Sequence, residues 1–222
     1  MSLWQDFLTN DQEAIHKWVH YFPIYERFFT PWKNKSLTFL EIGIGRGGSL
    51  KMWQRFFGPL TKIVGIDIEP ECKALESPGI SVRIGSQSDP DFLKSIIDEF
   101  GIPDIVLDDG SHHMDDITNT FQFLYPLMHK NAIYMVEDLH TAYWEEYGGG
   151  VNNPNTFMNF AKGCVDRIHA HHSRGTIPPD LITQQTFAIS FFDSIVCFEK
   201  GNTDWKEAPI MGQETEMEFL KE

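Results

Sequence analysis

Five apolar bursts, each closing on a turn and four of them leading into a stretch with helical spacing or a helix-start signal, constrain this chain more than anything else in it. They are LTFLEIGIG (37–45), KIVGIDI (62–68), ISVRIG (80–85), DIVLDD (104–109) and AIYMVED (132–138). Short runs of this kind suit strands buried on both faces, as in a parallel sheet covered by crossover helices. The intervening stretches supply those helices: residues 48–57, 90–100 and 114–129 carry apolar positions three and four apart, and Ser88-Asp89-Pro90 is a helix start. Near the C-terminus a helical stretch at 155–172 leads to TFAISFFDSIVCFEKG (186–201), two strand-like runs joined at Phe192-Asp193-Ser194. That joint leaves no room for a crossover helix, so the runs form an antiparallel hairpin. The predicted class is α/β: a Rossmann-like doubly wound sheet of seven strands, five parallel plus the C-terminal hairpin, with N-terminal helices packed over it.

At 222 residues the chain suits a single domain, divided into an N-terminal helical segment (1–35), a core (36–201) and a solvated tail (202–222). No apolar run approaches the roughly 18 residues that cross a bilayer, so no membrane partner is expected. The opening MSLWQDFLTNDQEA has neither the basic nor the apolar region of a secretory signal, and Cys72, Cys164 and Cys197 are odd in number and widely separated. A cytoplasmic setting with reduced thiols is expected. A net charge of −14 repels a polyphosphate backbone, which makes nucleic acid a poor partner. A homo-oligomer is compatible with the sequence.

The first burst ends in glycines at 43, 45, 47 and 48. As G-x-G-x-x-G the loop suits a dinucleotide; as E-x-G-x-G-x-G, with Glu41, Gly43, Gly45 and Gly47, it suits S-adenosylmethionine. Asp67 closes the second strand, where a carboxylate can accept from both ribose hydroxyls of an adenosine-type cofactor. Gln87 and Ser88 follow the third strand, where an adenine edge is read, although Ser88 or Asp89 serves equally well as a helix cap.

Asp108-Asp109 ends the fourth strand and Glu137-Asp138 the fifth. Ligands of a doubly wound sheet sit beyond the carboxyl ends of its strands, at the point where strand order reverses. Carboxylates this close repel unless protonated or bound to a cation, and an oxygen-only set favours Mg2+, Mn2+ or Ca2+. Strand side chains alternate, so one of the first pair faces the ion: Asp109 is assigned there with Glu137 and Asp138, and Asp108 to the cofactor side. Asp115-Asp116 reads as a helix start. His112 and His113 sit in the turn after Gly110-Ser111, where an imidazole can act as a base. His169, His171 and His172 read as surface.

With LEIGIGRGGSLKMW, IVGIDIEP, LDDGSHH, VEDLHTAYWEEYGGG and the terminal hairpin in hand, residues 20–200 resemble class I S-adenosylmethionine-dependent methyltransferases. Within that class they are similar to the metal-dependent sugar O-methyltransferases of macrolide biosynthesis, of the macrocin and mycinamicin type. The resemblance implies Asp109, Glu137 and Asp138 as Mg2+ ligands and His112 as the base. Tyr143 and Trp144 then wall the pocket of a small-molecule hydroxyl acceptor, or alternatively pack against the N-terminal helices, and His20, Tyr21 and Tyr25 pose the same choice. The chain departs from the family in lacking the extra N-terminal region some members carry, in its second histidine, His113, and in Ala142 where serine is expected. The alternatives are an NAD-dependent oxidoreductase, which the glycine loop and Asp67 also fit, and a non-catalytic cofactor-binding partner protein.

Overall fold

The computed structural model describes residues 2–201 and 210–212, so most of the expected tail lies outside the described residues. The strands are β1 (Leu37–Ile42), β2 (Thr61–Asp67), β3 (Ile80–Ile84), β4 (Ile105–Asp108), β5 (Ile133–Val136), β6 (Thr186–Phe192) and β7 (Ile195–Lys200). They form one sheet in the order β3-β2-β1-β4-β5-β7-β6. β1 to β5 pair in parallel, while β7 lies antiparallel between β5 and β6. β7 is therefore the one reversed strand: β6, the other arm of the expected hairpin, runs with the parallel set at the sheet edge.

Helices cover both faces. α1 (Leu3–Leu8), α2 (Phe22–Phe29) and α3 (Gly48–Phe57) bury one face, on a core that includes Phe39, Ile105, Leu107, Ile133 and Met135. α4 (Pro90–Phe100), α5 (Met114–Leu124), α6 (Phe157–Ile168) and α7 (Leu181–Gln185) pack on the other, against Leu40, Ile42, Val106, Tyr134 and Val136. Alternation along each strand thus assigns odd-numbered residues of β4 and β5 to the α1–α3 side and even-numbered ones to the other.

Helix ends follow local chemistry. Asp89 caps α4, accepting from the backbone N–H groups of Asp91 and Phe92, and Thr156 caps α6. The expected 114–129 helix ends at Leu124 and tightens into a 3-10 turn, Tyr125–Leu127, because Pro126 has no N–H to donate. The N-terminal segment departs most from expectation. Between α1 and the 3-10 turn Val19–Tyr21 that leads into α2, residues 10–18 carry no helix. They run as a strap against the glycine loop: a side chain on Gly48 would meet the Glu13 carbonyl oxygen at 2.3 Å and that of Ala14 at 2.6 Å. Lys51 pairs with Glu13 at 2.6 Å to hold the strap. Among the described residues no helix is long and apolar enough to cross a membrane.

Candidate active site

Strand order reverses between β1 and β4, and the C-terminal tips of β1, β4 and β5 meet there. Gly43 makes the junction feasible. It has φ +79°, and a side chain there would overlap the Asp109 carbonyl oxygen at 2.1 Å. Beyond it opens a cleft of about 660 Å3, lined by Ala14 to Lys17 of the strap, by Gly43 to Arg46, and by Ser49, Asp67, Asp109, Gly110, His112 and Asp138. A smaller recess of about 160 Å3 shares Gly43, Asp67 and Gly110 with it and continues toward Ile68, Ser86, Gln87 and Ser111.

The register separates the carboxylates. Leu107 pairs with Met135 and Asp108 with Val136, so Asp109 and Glu137 continue the row that faces α1–α3. Glu41, paired with Leu107, lies one step inside the same row. Asp108 goes to the opposite face, buried, where it accepts hydrogen bonds from Gln87 Nε2 at 3.1 Å and from the Tyr134 hydroxyl at 3.0 Å. Burial pushes its carboxyl up to about 7 despite those bonds.

A residue that the sequence reading did not select completes the acid row. Lys17 of the strap reaches Asp109 Oδ2 at 2.5 Å, Glu137 Oε2 at 2.8 Å and Glu41 Oε1 at 3.6 Å, with its side chain 3% exposed. Burial alone would lower the lysine, but the three carboxylates outweigh it and hold the ammonium well above its ordinary value. Desolvation also raises Glu41, Asp109 and Glu137, the last to about 8, although Lys17 pulls each of them down. Tyr21 and Tyr25 are buried, and they spend their hydroxyls here: Tyr21 donates to Asp138 Oδ1 at 2.6 Å and Tyr25 to Glu137 Oε1 at 2.5 Å. His20 remains exposed, with Nε2 3.3 Å from the Asp193 carbonyl oxygen.

On the cleft side, one ligand atom each from Asp109, His112 and Asp138 lies within 4.8 Å of the others. His112 Nε2 is 3.8 Å from both Asp109 Oδ1 and Asp138 Oδ2. His112 and Asp138 take left-handed backbone conformations, φ +60° and +52°, which non-glycine residues adopt at a cost and which cluster at functional sites. This group fits a hard divalent cation. It is oxygen-rich, and Glu41, Asp109, Glu137 and Asp138 outnumber their one buried ammonium. Glu137 is 1% exposed and faces Lys17 and Tyr25, so it lies behind the other three. His113 is exposed and packs its ring 5.2 Å from that of Tyr147.

Around the cofactor-side positions, Asp67 Oδ2 accepts from the backbone N–H groups of Ile44 at 2.9 Å and Gly45 at 3.0 Å, and Oδ1 from that of Glu69 at 3.0 Å. A carboxylate offers about four lone-pair sites, so Asp67 braces the glycine loop and retains capacity for about one further bond. Gln87 is buried; its amide donates to Asp108 and to Thr120 Oγ1 at 3.1 Å, and its Oε1 accepts from the Ser111 N–H at 2.7 Å. It ties β3 to the turn after β4. Ser88 donates to Asp116, which also accepts from Ser111 at 2.7 Å. Glu41 accepts from Ser49 at 2.9 Å, beneath the loop. Tyr143 and Trp144 are exposed, 49% and 45%, and the Trp144 ring lies 4.8 Å from that of His140 and 6.0 Å from that of Tyr147. His169, His171 and His172 are exposed, as expected.

No family model matches the chain. It is 38% identical over 166 residues to demethylmacrocin O-methyltransferase of Streptomyces fradiae, covering 68% of this chain and 41% of that protein. It is 33% identical over 201 residues to a Streptomyces olivaceus 2'-O-methyltransferase of rhamnosyl tetracenomycin C, covering 86% and 52%. Its fold matches the mycinamicin-pathway methyltransferase MycE, solved with Mg, SAH and mycinamycin VI, at a TM-score of 0.80 and 30% identity over 93% of this chain and 54% of that one. This chain is homologous to the macrolide sugar O-methyltransferases. It spans about half the length of the relatives it matches. The homology favours that resemblance over the nicotinamide-dependent alternative.

Proposed function

We propose that the protein transfers the methyl group of S-adenosylmethionine to a sugar hydroxyl of a glycosylated small molecule, with a divalent cation at Asp109 and Asp138. The observation that carries this is the convergence of Asp109, His112 and Asp138 on the cleft beside the glycine loop, backed by a buried anionic row that one lysine only partly neutralises. A divalent cation bound there supplies Lewis-acid stabilisation of an alkoxide, and the sulfonium supplies an electrophilic methyl group.

The chain's own residues do the rest. Glu41 and the turn Gly43–Gly47 shape the floor on which the cofactor lies, Asp67 has one lone pair left for a ribose hydroxyl, and Gln87, Ser88 and Asp108 form the frame that holds the adenine recess open. His112 Nε2 faces the cleft between two carboxylates, where it can take the hydroxyl proton. Glu137 completes the ion site from behind by fixing Lys17, which in turn fixes Asp109. Alignment of hydroxyl, methyl and departing sulfur supplies much of the rate, and the strap walls one side of the cleft with Ala14 to Lys17. Tyr143 and Trp144 meet the acceptor. The unpaired, buried thiols of Cys72, Cys164 and Cys197 suit the cytoplasm.

The test is transfer of radiolabelled methyl from S-adenosylmethionine to rhamnosides and related 6-deoxyhexosides, with Mg2+ or with chelator. Mg2+-dependent labelling of the sugar is the expected result. Transfer that is indifferent to Mg2+ would remove the cation from the scheme. Tight NAD binding without S-adenosylmethionine binding would remove the scheme itself.

A further inference from the structure

Rings drawn from three separate segments lead away from His112, which lines the cleft. From His112 the next ring is Tyr147, at a centroid distance of 6.5 Å, then Trp144 at 6.0 Å, His140 at 4.8 Å and Trp18 at 6.0 Å. The series returns to its start. Trp18 adjoins Lys17, which is anchored on Asp109, and Asp109 is 3.8 Å from His112. The rings therefore form a collar of linked aromatics beside the cleft, beginning at His112 and ending next to Lys17, both of which line it.

Trp18 is the unexplained member. It is 54% exposed and the adjoining Val19 63%, although the apolar core lies a few residues away. A large indole held in water beside a cleft is the mark of a ligand surface rather than of packing. Its position is not loose: the Lys17 ammonium pins the preceding residue inside the acid row, and Tyr21 and Tyr25 pin the following turn and helix. His140 is held too, with Nδ1 3.1 Å from Ser194 Oγ.

A sugar that presents one hydroxyl to His112 can direct its attached group away from the acids, toward these rings. Given the sugar-methyltransferase reading on which this rests, we propose that Trp18, with His140 beside it, is a specificity-determining residue that stacks on a flat apolar aglycone carried by the acceptor sugar. The exposed Glu145 and Glu146, which lie between Trp144 and Tyr147 in the chain, disfavour an anionic substituent, so the group is not anionic.

The experiment uses two probes with one sugar, p-nitrophenyl and methyl α-L-rhamnoside, in the same methyl-transfer assay. Trp18→Ala is expected to raise KM for the aryl glycoside about tenfold, with kcat within twofold, and to leave the methyl glycoside unchanged; Trp18→Phe is expected to restore most of the loss. Calorimetry with S-adenosylhomocysteine and Mg2+ should match wild type, which shows that the fold and the inner site survive. An equal effect on both glycosides, or on neither, overturns the proposal while leaving the methyltransferase reading intact. Saturation-transfer NMR on the wild-type protein with S-adenosylhomocysteine gives a second readout independent of turnover. Strong transfer to the aryl protons, lost in Trp18→Ala, supports the proposal, and transfer confined to the sugar protons refutes it.

Discussion

Asp108→Asn should change how stability depends on pH, in a direction that can be worked out in advance. The Asp108 carboxyl is buried and its pKa rises from 3.8 to about 7, chiefly through desolvation. The folded chain therefore keeps this proton to higher pH than the unfolded chain does. Stability from the group is fully present below about pH 4 and is lost as pH rises through about 7. At about 1.4 kcal/mol per pKa unit the rise corresponds to about 4 kcal/mol at most. Asparagine cannot ionise, so it avoids that loss. It must, however, present an N–H2 toward Gln87 Nε2 or the Tyr134 hydroxyl, and Tyr134 can accommodate it by turning its own proton away, at a cost of about 1 kcal/mol. The variant should thus be slightly less stable than wild type at pH 4 and about 3 kcal/mol more stable at pH 8, with the curves crossing between. Urea unfolding at half-unit steps from pH 4 to 8, in chelator, measures both curves, and the contributions of Glu41, Asp109 and Glu137 largely cancel in the difference. Parallel curves would show that Asp108 does not carry a raised pKa and that its buried environment has been misjudged.

The remaining predictions concern the site. Asp109→Asn should lower kcat at least a hundredfold while the Kd for S-adenosylhomocysteine stays within about threefold, as read by calorimetry; loss of cofactor affinity instead would place Asp109 on the cofactor. His112→Gln should lower kcat by about 10²–10⁴ and leave Mg2+ binding measurable, with His113→Gln near wild type in a steady-state assay. Lys17→Met leaves Glu41, Asp109 and Glu137 without their buried counter-charge, and chemical denaturation should show a loss of about 3–5 kcal/mol that Lys17→Arg partly recovers. Gly43→Ala should drive β1 and β4 apart at their tips and abolish cofactor-induced thermal stabilisation, because its new methyl meets the Asp109 carbonyl oxygen.

The sheet was legible because each of its strands is a short apolar run bounded by turn residues, and α3 and α4 begin and end where the spacing and the Asp89-Pro90 pair predict. Asp109 could be separated from Asp108 on paper because strand alternation is a local rule, and the register of β4 on β5 places the two on opposite faces as that rule requires. Lys17 was not legible in the same way, since its partners are 24, 92 and 120 residues distant in sequence. One signal was present: Lys17, Tyr21 and Tyr25 recur at four-residue spacing in HKWVHYFPIYER, and all three direct polar groups to carboxylates at the tips of β4 and β5. The roles of Asp67 and Gln87 also outran the sequence. Both occupy the strand-end positions expected of cofactor contacts, yet both brace neighbouring protein groups, because loops that approach a ligand must first be held in place.

Alcohol activation at this site requires a divalent ion held by the tips of β4 and β5 beside the cofactor. Crystals grown with S-adenosylhomocysteine and soaked in Mn2+ would locate that ion by its anomalous scattering. The expected result is one strong peak in the cleft, bonded to the carboxylates of Asp109 and Asp138 and adjacent to His112. A cleft without a peak at saturating Mn2+, with Lys17 alone balancing the acids, would contradict it.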